Sequence, residues 1–291
     1  MIIDIRYHIA SLVAVFLALG IGILMGANLL GNDTMINTLK NESDKIEKSL
    51  EVLRLENKKA QEEVSGYKSI IAVHKQFEKQ TVPMLVYGKL AGKQVAVIET
   101  NNYGFHEDWL NTLTMAGARV NSITTVLGGF NIQDENKRKK IATKLLLNSN
   151  EEKEIYNAVT TEIAGCITTG QNLENLQFFS SMGLLKTSGN YGVPIQAVIF
   201  VGGSRDEETA KVKELDVPMM KLFLDQNIPV FGVENSDVEF SYMKDYQRQK
   251  VSTVDNVDLY PGQYSLVMAM AGRPGNYGIK PSAKQVMPNI P

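Results

Sequence analysis

Two carboxylates, Asp255 and Asp258, stand three residues apart in the stretch Asp255-Asn256-Val257-Asp258. Such a pair suits general acid–base work or a share in a divalent-cation site. No third oxygen ligand accompanies them at a diagnostic spacing, and Asp258 equally suits the cap of the helix or turn that follows. Gly202-Gly203, with Ser204 and Arg205 behind them, follow an apolar run as a phosphate-cradling loop would. They match neither G-x-G-x-x-G nor G-x-x-x-x-G-K-[ST], and Asp206, Glu207 and Glu208 favour a helix start while repelling a phosphate. Ser204 with Glu207 three residues on reads as a capping box. Parts for nucleophilic catalysis are few. Of the histidines His8, His74 and His106, only His106 falls among alternating strand and helix patterns, and no Ser or Cys motif accompanies it. Cys166 lies in Ile163-Ala164-Gly165-Cys166-Ile167, the setting of a buried, inert thiol. Thioethers suit Cu(I), but Met219-Met220 and the pair Met268 and Met270 sit in apolar helical patterns that core packing explains. The residues alone assign no catalytic group and no metal site.

The elements that would position these residues come next. Gln94–Glu99 is β-rich and ends in Thr100-Asn101-Asn102; a helix over 108–116 and a strand near 119–125 follow. Residues 134–147, 151–165 and 171–183 read as helices. Gln196–Val201 is continuous and apolar, the mark of a central strand; Val230–Val233 is a short strand, and Val251–Val254 reads as an edge strand. The last helix runs from Tyr260 or Pro261 to Ala271, and the proline-containing tail beyond Gly272 is expected to wrap the surface. Apolar strands spaced by helices predict an open parallel sheet covered on both faces. Ligands of such sheets bind beyond the carboxyl ends of the strands. The candidate rim is therefore Asn101, Asn102, Ser204, Arg205, Asn235, Asp255, Asn256 and Asp258, with Arg273 the remaining charge assigned to it.

The first ninety residues have different physics. Ile9–Leu30 is a run of 22 residues without a charge, enough for a helix to cross a hydrocarbon core about 30 Å thick. A soluble helix rarely stays apolar on every face, and Leu24-Met25-Gly26-Ala27-Asn28 matches a signal-peptidase site poorly. Ala14, Ala18, Gly22 and Gly26 form a small-residue ridge that would let two such helices approach closely. Next, Ile36, Ser43, Leu50, Asn57, Val64 and Ile71 fall at heptad position a, and Leu39, Ile46, Leu53, Ala60, Tyr67 and His74 at d. This is a coiled-coil pattern, in which a buried Asn57 would set the register of a parallel dimer. Glu63 at g reaches Lys68 at e of the following heptad in a partner helix, whereas Glu42 and Glu47 in the same relation repel. The seam is expected to fray near His74; an intramolecular helix folded back on the globular part is the alternative. With 291 residues, 44% hydrophobic and 30 basic against 32 acidic side chains, the chain can bury a sizeable core and lacks the charge of a nucleic-acid binder. One cysteine excludes an intrachain disulfide. Charge counting leaves orientation open: Arg6 precedes the apolar run, while Lys40, Lys45 and Lys48 follow it.

The N-terminal block Arg6-x-His8-x-x-Ser11-Leu12-x-Ala14-Val15-Phe16-Leu17-Ala18-Leu19-x-x-Gly22, continuing to Gly26, resembles the start of the MctB-type copper transport outer membrane protein family. So do Leu90-Ala91-Gly92, Ser252–Asp258 with Gly262, and later Gly272-Arg273, Tyr277-Gly278 and Pro281. The resemblance implies a cytoplasmic N-terminus (1–8), one membrane anchor (9–30), a coiled coil (34–80) and an extracytoplasmic Rossmann-like α/β domain (90–291). It also implies copper as the family's cargo, while corynebacterial relatives look like partners of a second membrane protein in envelope and septal remodelling. It carries no catalytic role onto any residue. The expectation is a single-pass, non-enzymatic envelope protein. A parallel homodimeric stalk with about 60 Å of reach would present a domain that binds a second membrane or envelope protein. Copper homeostasis is one alternative, and an enzyme with its site at the strand ends is another.

Overall fold

The computed structural model describes residues 5–30, 33–100, 107–128 and 130–290. The chain divides into two units, Met1–Ala72 and Val73–Pro291. In the first, α1 (Ile5–Leu30) is a 26-residue helix, longer than the roughly 20 residues a bilayer core requires. Its apolar side chains, Leu12 and Phe16 among them, are exposed, and a Cβ added at Gly22 or Gly26 would meet no atom within 4 Å. Helix α2 (Asp33–Val86) is continuous over 54 residues despite Pro83 in its last turn. The proline's carbonyl still accepts from Tyr87 N at 3.0 Å, so the ring removes one donor without ending the helix before Val86.

The second unit is built on one seven-stranded sheet in the order β3-β2-β1-β4-β5-β6-β7. The strands are β1 (Gln94–Glu99), β2 (Arg119–Val126), β3 (Leu185–Gly189), β4 (Ala197–Val201), β5 (Val230–Val233), β6 (Ser252–Val254) and β7 (Asn276–Tyr277). Every pairing is parallel except β2 with β3. The helices are α3 (Glu107–Met115), α4 (Glu135–Lys144), α5 (Glu152–Thr169), α6 (Leu173–Ser181), α7 (Val217–Asp225), α8 (Met243–Arg248) and α9 (Tyr260–Met270).

Alternation along the strands feeds two cores. Ala96, Ile98, Val198 and Phe200 pack against α5, α6, α7 and α8, whereas Val95, Val97, Ala197 and Ile199 face α3, α9 and the end of α2. Helix α5 shows how the pattern seats a helix: Ile155, Val159, Ile163 and Ile167, spaced four apart, are all buried in the first core. On the other face Val82, Val86 and Leu90 are buried beside Trp109 and Leu113. The last turns of α2 thus belong to the folded unit, which begins before the Leu90 boundary drawn from sequence.

Three expectations are corrected. The segment after Ser204 does not start a helix; a π-helical turn, Val212–Asp216, leads into α7, which has Pro218 in its first turn. β6 is not an edge strand, because the two-residue β7 pairs outside it. The sheet is not wholly parallel. After α4, α5 and α6 the chain turns through Leu184, whose N–H bonds Phe179 O at 3.0 Å, and enters the sheet beside the end of β2, with Leu185 opposite Val126, so that β3 runs antiparallel to it.

Candidate functional site

The strand order reverses between β1 and β4, and the residues just past the strand ends are fixed by continued ladder bonds. Thr100 N donates to Val201 O (3.0 Å), Gly202 N to Val233 O (2.8 Å), Glu234 N to Val254 O (2.9 Å) and Asp255 N to Tyr277 O (3.1 Å). Thr100, Gly202, Glu234 and Asp255 thus each stand one position beyond a strand, held by the neighbouring strand. Asn101, Asn102 and His106 lie outside the described residues.

At the reversal, Thr100 Oγ1 donates to Asp216 Oδ2 at 2.8 Å, and the Tyr246 hydroxyl donates to the same oxygen. Asp216 is fully buried and its Oδ1 has no hydrogen-bond partner. Burial raises its pKa to about 7, opposed by the bonds from Tyr246 and Thr100. The tyrosine is pushed well above its ordinary value by burial and by the carboxyl beside it. Its ring packs edge-on against Phe200 at 6.5 Å and Tyr242 at 6.1 Å, over Gly202 and Gly232, where any Cβ would collide with it. The glycine pair after β4 therefore makes room for an aromatic ring, with Gly202 the member beneath it. No sequence motif announces Asp216 or Tyr246; the nearest signal is an acid embedded in Leu215–Met220, an otherwise apolar run.

Further along the rim, Glu234 is fully buried and accepts from Lys280 Nζ (2.8 Å), Ser241 Oγ (2.6 Å) and Tyr242 N (3.0 Å). Burial raises its pKa, and the lysine is the main opposing influence. Lys280 also donates to the carbonyl of Asn235 at 3.0 Å. Asp255 accepts from the backbone N–H groups of Ile279 (2.7 Å) and Lys280 (3.1 Å). Gly278, at φ +140°, passes so close to this carboxylate that a Cβ would overlap it. Asp258 accepts from Ser236 N (2.7 Å) and Ser236 Oγ (2.6 Å), capping that turn rather than the helix after it. Asn256 is buried with both side-chain polar atoms unpartnered, and its backbone is pressed against Gly262.

The remaining candidates fall elsewhere than expected. Ser204 forms a two-residue bridge with Phe240, its N–H bonding Phe240 O at 2.9 Å and its carbonyl accepting from Phe240 N at 2.8 Å. Its hydroxyl meets Thr209 Oγ1 at 2.9 Å. The capping box is not formed because this backbone is spent on Phe240, and Asp206 closes the turn instead by accepting from Thr209 N at 2.9 Å. Arg205 is exposed and pairs with Asp237. Arg273 is not on this rim: it precedes β7, so it stands at the opposite edge of the parallel strands, where it donates to Asn289 O at 2.8 Å.

Asp255 and Asp258 thus work as fasteners for the C-terminal segment and for the turn after β5. Soft ligands for copper are placed no better. Met219 and Met220 are buried in one core and Met268 and Met270 in the other. Cys166 is buried, donates to Asn172 O at 3.4 Å, and has its pKa raised to about 11 by burial. Among the described residues no group of three or more His, Cys, Asp or Glu side chains could hold a metal ion. These side chains do not fit a bound copper ion.

A family model described as "Copper transport outer membrane protein, MctB" matches residues 2–288. No curated protein matches the chain. The family match takes in both the apolar N-terminal helix and the sheet with its fastened C-terminal segment: the chain belongs to the MctB copper transport outer membrane protein family.

Proposed function

We propose that this is a non-enzymatic, single-pass envelope protein with a cytoplasmic N-terminus, a parallel dimeric coiled-coil stalk and an extracytoplasmic, Rossmann-like domain that binds a second membrane or envelope protein. The observation that carries the reading is the apolar stripe of α2. Its large apolar seam residues, Ile36, Leu39, Ile46, Leu50, Leu53, Val64, Tyr67 and Ile71, are each between 48% and 64% exposed. An isolated helix gains nothing from such a stripe. Two copies facing each other would bury on the order of 1,500 Å², the size of a stable interface. Asn57 at position a fixes one register, and the ridge Ala14, Ala18, Gly22 and Gly26 would bring the same two chains together in the bilayer. The use of Asp255, Asp258 and Glu234 as fasteners supports a recognition role over catalysis.

Cysteine crosslinking in native membranes tests this. Leu53→Cys forms an intermolecular disulfide, Glu51→Cys, off the seam, does not, and protease added outside intact cells removes the domain. A domain that stays protected, or equal crosslinking at both positions, refutes it.

Copper handling is the second reading, carried by the family description. A Cu(I) titration of the full chain against a competing chelator separates the two. Submicromolar binding lost on substitution of the methionines favours copper; none at micromolar concentration removes it. The described sheet is open and covered by helices on both faces, unlike the closed, lipid-facing barrel of a pore, so the copper reading rests on binding rather than on a channel through this sheet.

A further inference from the structure

From Asn136 to Asn150 the chain carries four lysines, one arginine and no acid. Most of this run is α4, and the fold uses only part of its charge. Arg138 turns inward, donating to the carbonyls of Ile132 (2.9 Å) and Gln133 (2.8 Å) and pairing with Glu152 at 3.4 Å. Lys139 pairs with Glu135 at 2.8 Å. Lys137, Lys140 and Lys144 have no ion-pair partner among the described residues. They follow one another at spacings of three and four, so they share one side of the helix.

Leu146 stands directly after them, in the position that ends α4. Its φ is +57°, its N–H meets Thr143 O at 3.3 Å, and Leu147 N bonds Ala142 O at 2.9 Å. This is the bond pattern of a Schellman end, whose left-handed residue is ordinarily glycine. A Cβ makes that conformation unfavourable, and the side chain gains no burial to offset it. Leu145 and Leu147 pack on the first core, whereas Leu146 is 89% exposed, the most exposed large apolar residue described. Folding alone would favour glycine here.

Charge and shape together state the occupant. Three lysines fall short of the clusters of about four to eight basic residues that bind an anionic bilayer. An apolar anchor flanked by charges suits a discrete protein interface, in which the anchor fills a pocket and the peripheral charges select an oppositely charged surface. Resting on the reading that the α/β domain binds a protein partner, we propose that α4 is its docking face. Leu146 seats in an apolar pocket of the partner, and Lys137, Lys140 and Lys144 meet acidic side chains around that pocket. The occupant is an acidic protein surface.

The test uses the full chain in native membranes, with photo-crosslinking benzoylphenylalanine in place of Leu146 or, separately, of the exposed Lys284. The probe at 146 should capture a membrane or envelope protein through a segment bearing acidic residues. Lys137→Glu, Lys140→Glu and Lys144→Glu together should cut that capture by about tenfold or more, and lysines in place of the captured acids should restore it. Leu146→Gly suits the turn, so it should leave Tm unchanged or higher while lowering recovery of the captured protein by about tenfold. Unchanged recovery overturns the anchor, and capture that survives the charge reversal overturns the acidic surface. Capture of lipid alone, or of a second copy of this chain, overturns the proposal in favour of that contact. A protein captured at 284 but not at 146 overturns α4 as the docking face and leaves the partner reading standing. No protein captured at either position removes both.

Discussion

Asp216 makes a pH dependence that can be calculated and removed. Its carboxyl titrates near 7 in the folded chain and near 3.9 when unfolded. Between those values the native state holds a proton that the unfolded state has released, so stability falls as pH rises, by up to about 1.4 kcal/mol per unit. From pH 5 to pH 8 the loss amounts to about 2.5 kcal/mol. Full burial of the group leaves little solvent screening to reduce it. Asp216→Asn keeps an acceptor for Thr100 and Tyr246 and cannot ionise, so it should abolish this component. Its unpartnered amide adds a pH-independent offset, for which reason the comparison is of slopes rather than of single values. Trp109, the only tryptophan and itself buried, reports unfolding in urea or on heating. The wild type minus Asp216→Asn difference should change by about 2.5 kcal/mol between pH 5 and 8, or roughly 5–10 °C in Tm for a unit of this size. Parallel stability curves for the two proteins would show that Asp216 is charged in the folded state at neutral pH, refuting the assignment.

Lys280→Met leaves Glu234 buried without its cation and should cost about 3–5 kcal/mol, most of it restored by adding Glu234→Gln; equilibrium unfolding of both variants checks this. Gly278→Ala places a methyl group against Asp255 and should release the C-terminal segment, read as faster hydrogen exchange at the Ile279 and Lys280 amides. Asn57→Leu should tighten self-association while loosening register, seen as new disulfides between Leu50→Cys and Leu53→Cys chains that the parent does not form.

What the sequence shows and what it hides divide along physical lines. β1 and β5 are readable to the residue because Gln94–Glu99 and Val230–Val233 are apolar runs whose burial the fold then uses. β3 reads Leu-Lys-Thr-Ser-Gly and has almost no burial of its own; it is a strand only because β2 offers it a ladder, information that lies in residues 119–126. β7 is a strand for the same kind of reason, beside β6. The rim is legible as a set of polar turns, and in the structure the segments around Glu234, Asp255 and Asp258 are hydrogen-bonded to one another or to the C-terminal segment. The role of these carboxylates is not legible, because a fastener and a catalytic acid look alike until their partners are known. Asp216 is the clearest case: no motif marks the single acid in Leu215–Met220, and only the packing of Tyr246 over Gly202 shows that it is sealed in. Arg273 fails for a different reason. It lies just past the last helix placed from sequence, and without β7 nothing fixes which end of the strands it occupies.

The fastened rim changes how mutations there must be read. Asp255 holds the backbone at Ile279 and Lys280, Lys280 reaches back to Glu234, and the same segment runs on to Met287 and Ile290 beside α2 and α9. A carboxylate lost at position 255 removes two charge-assisted bonds, about 1.5–3 kcal/mol each, and the segment it frees is one wall of an apolar groove beside α2 and α9. An in vivo defect in Asp255→Asn is therefore what a structural role predicts as well as a catalytic one, and the defect alone cannot identify an enzyme. Hydrogen exchange at Ile279 separates the two. Asp255→Asn keeps one acceptor and Asp255→Ala keeps none: in the alanine variant the loss of a fastener leaves the Ile279 and Lys280 amides unprotected, whereas the loss of a purely catalytic carboxylate leaves both protected.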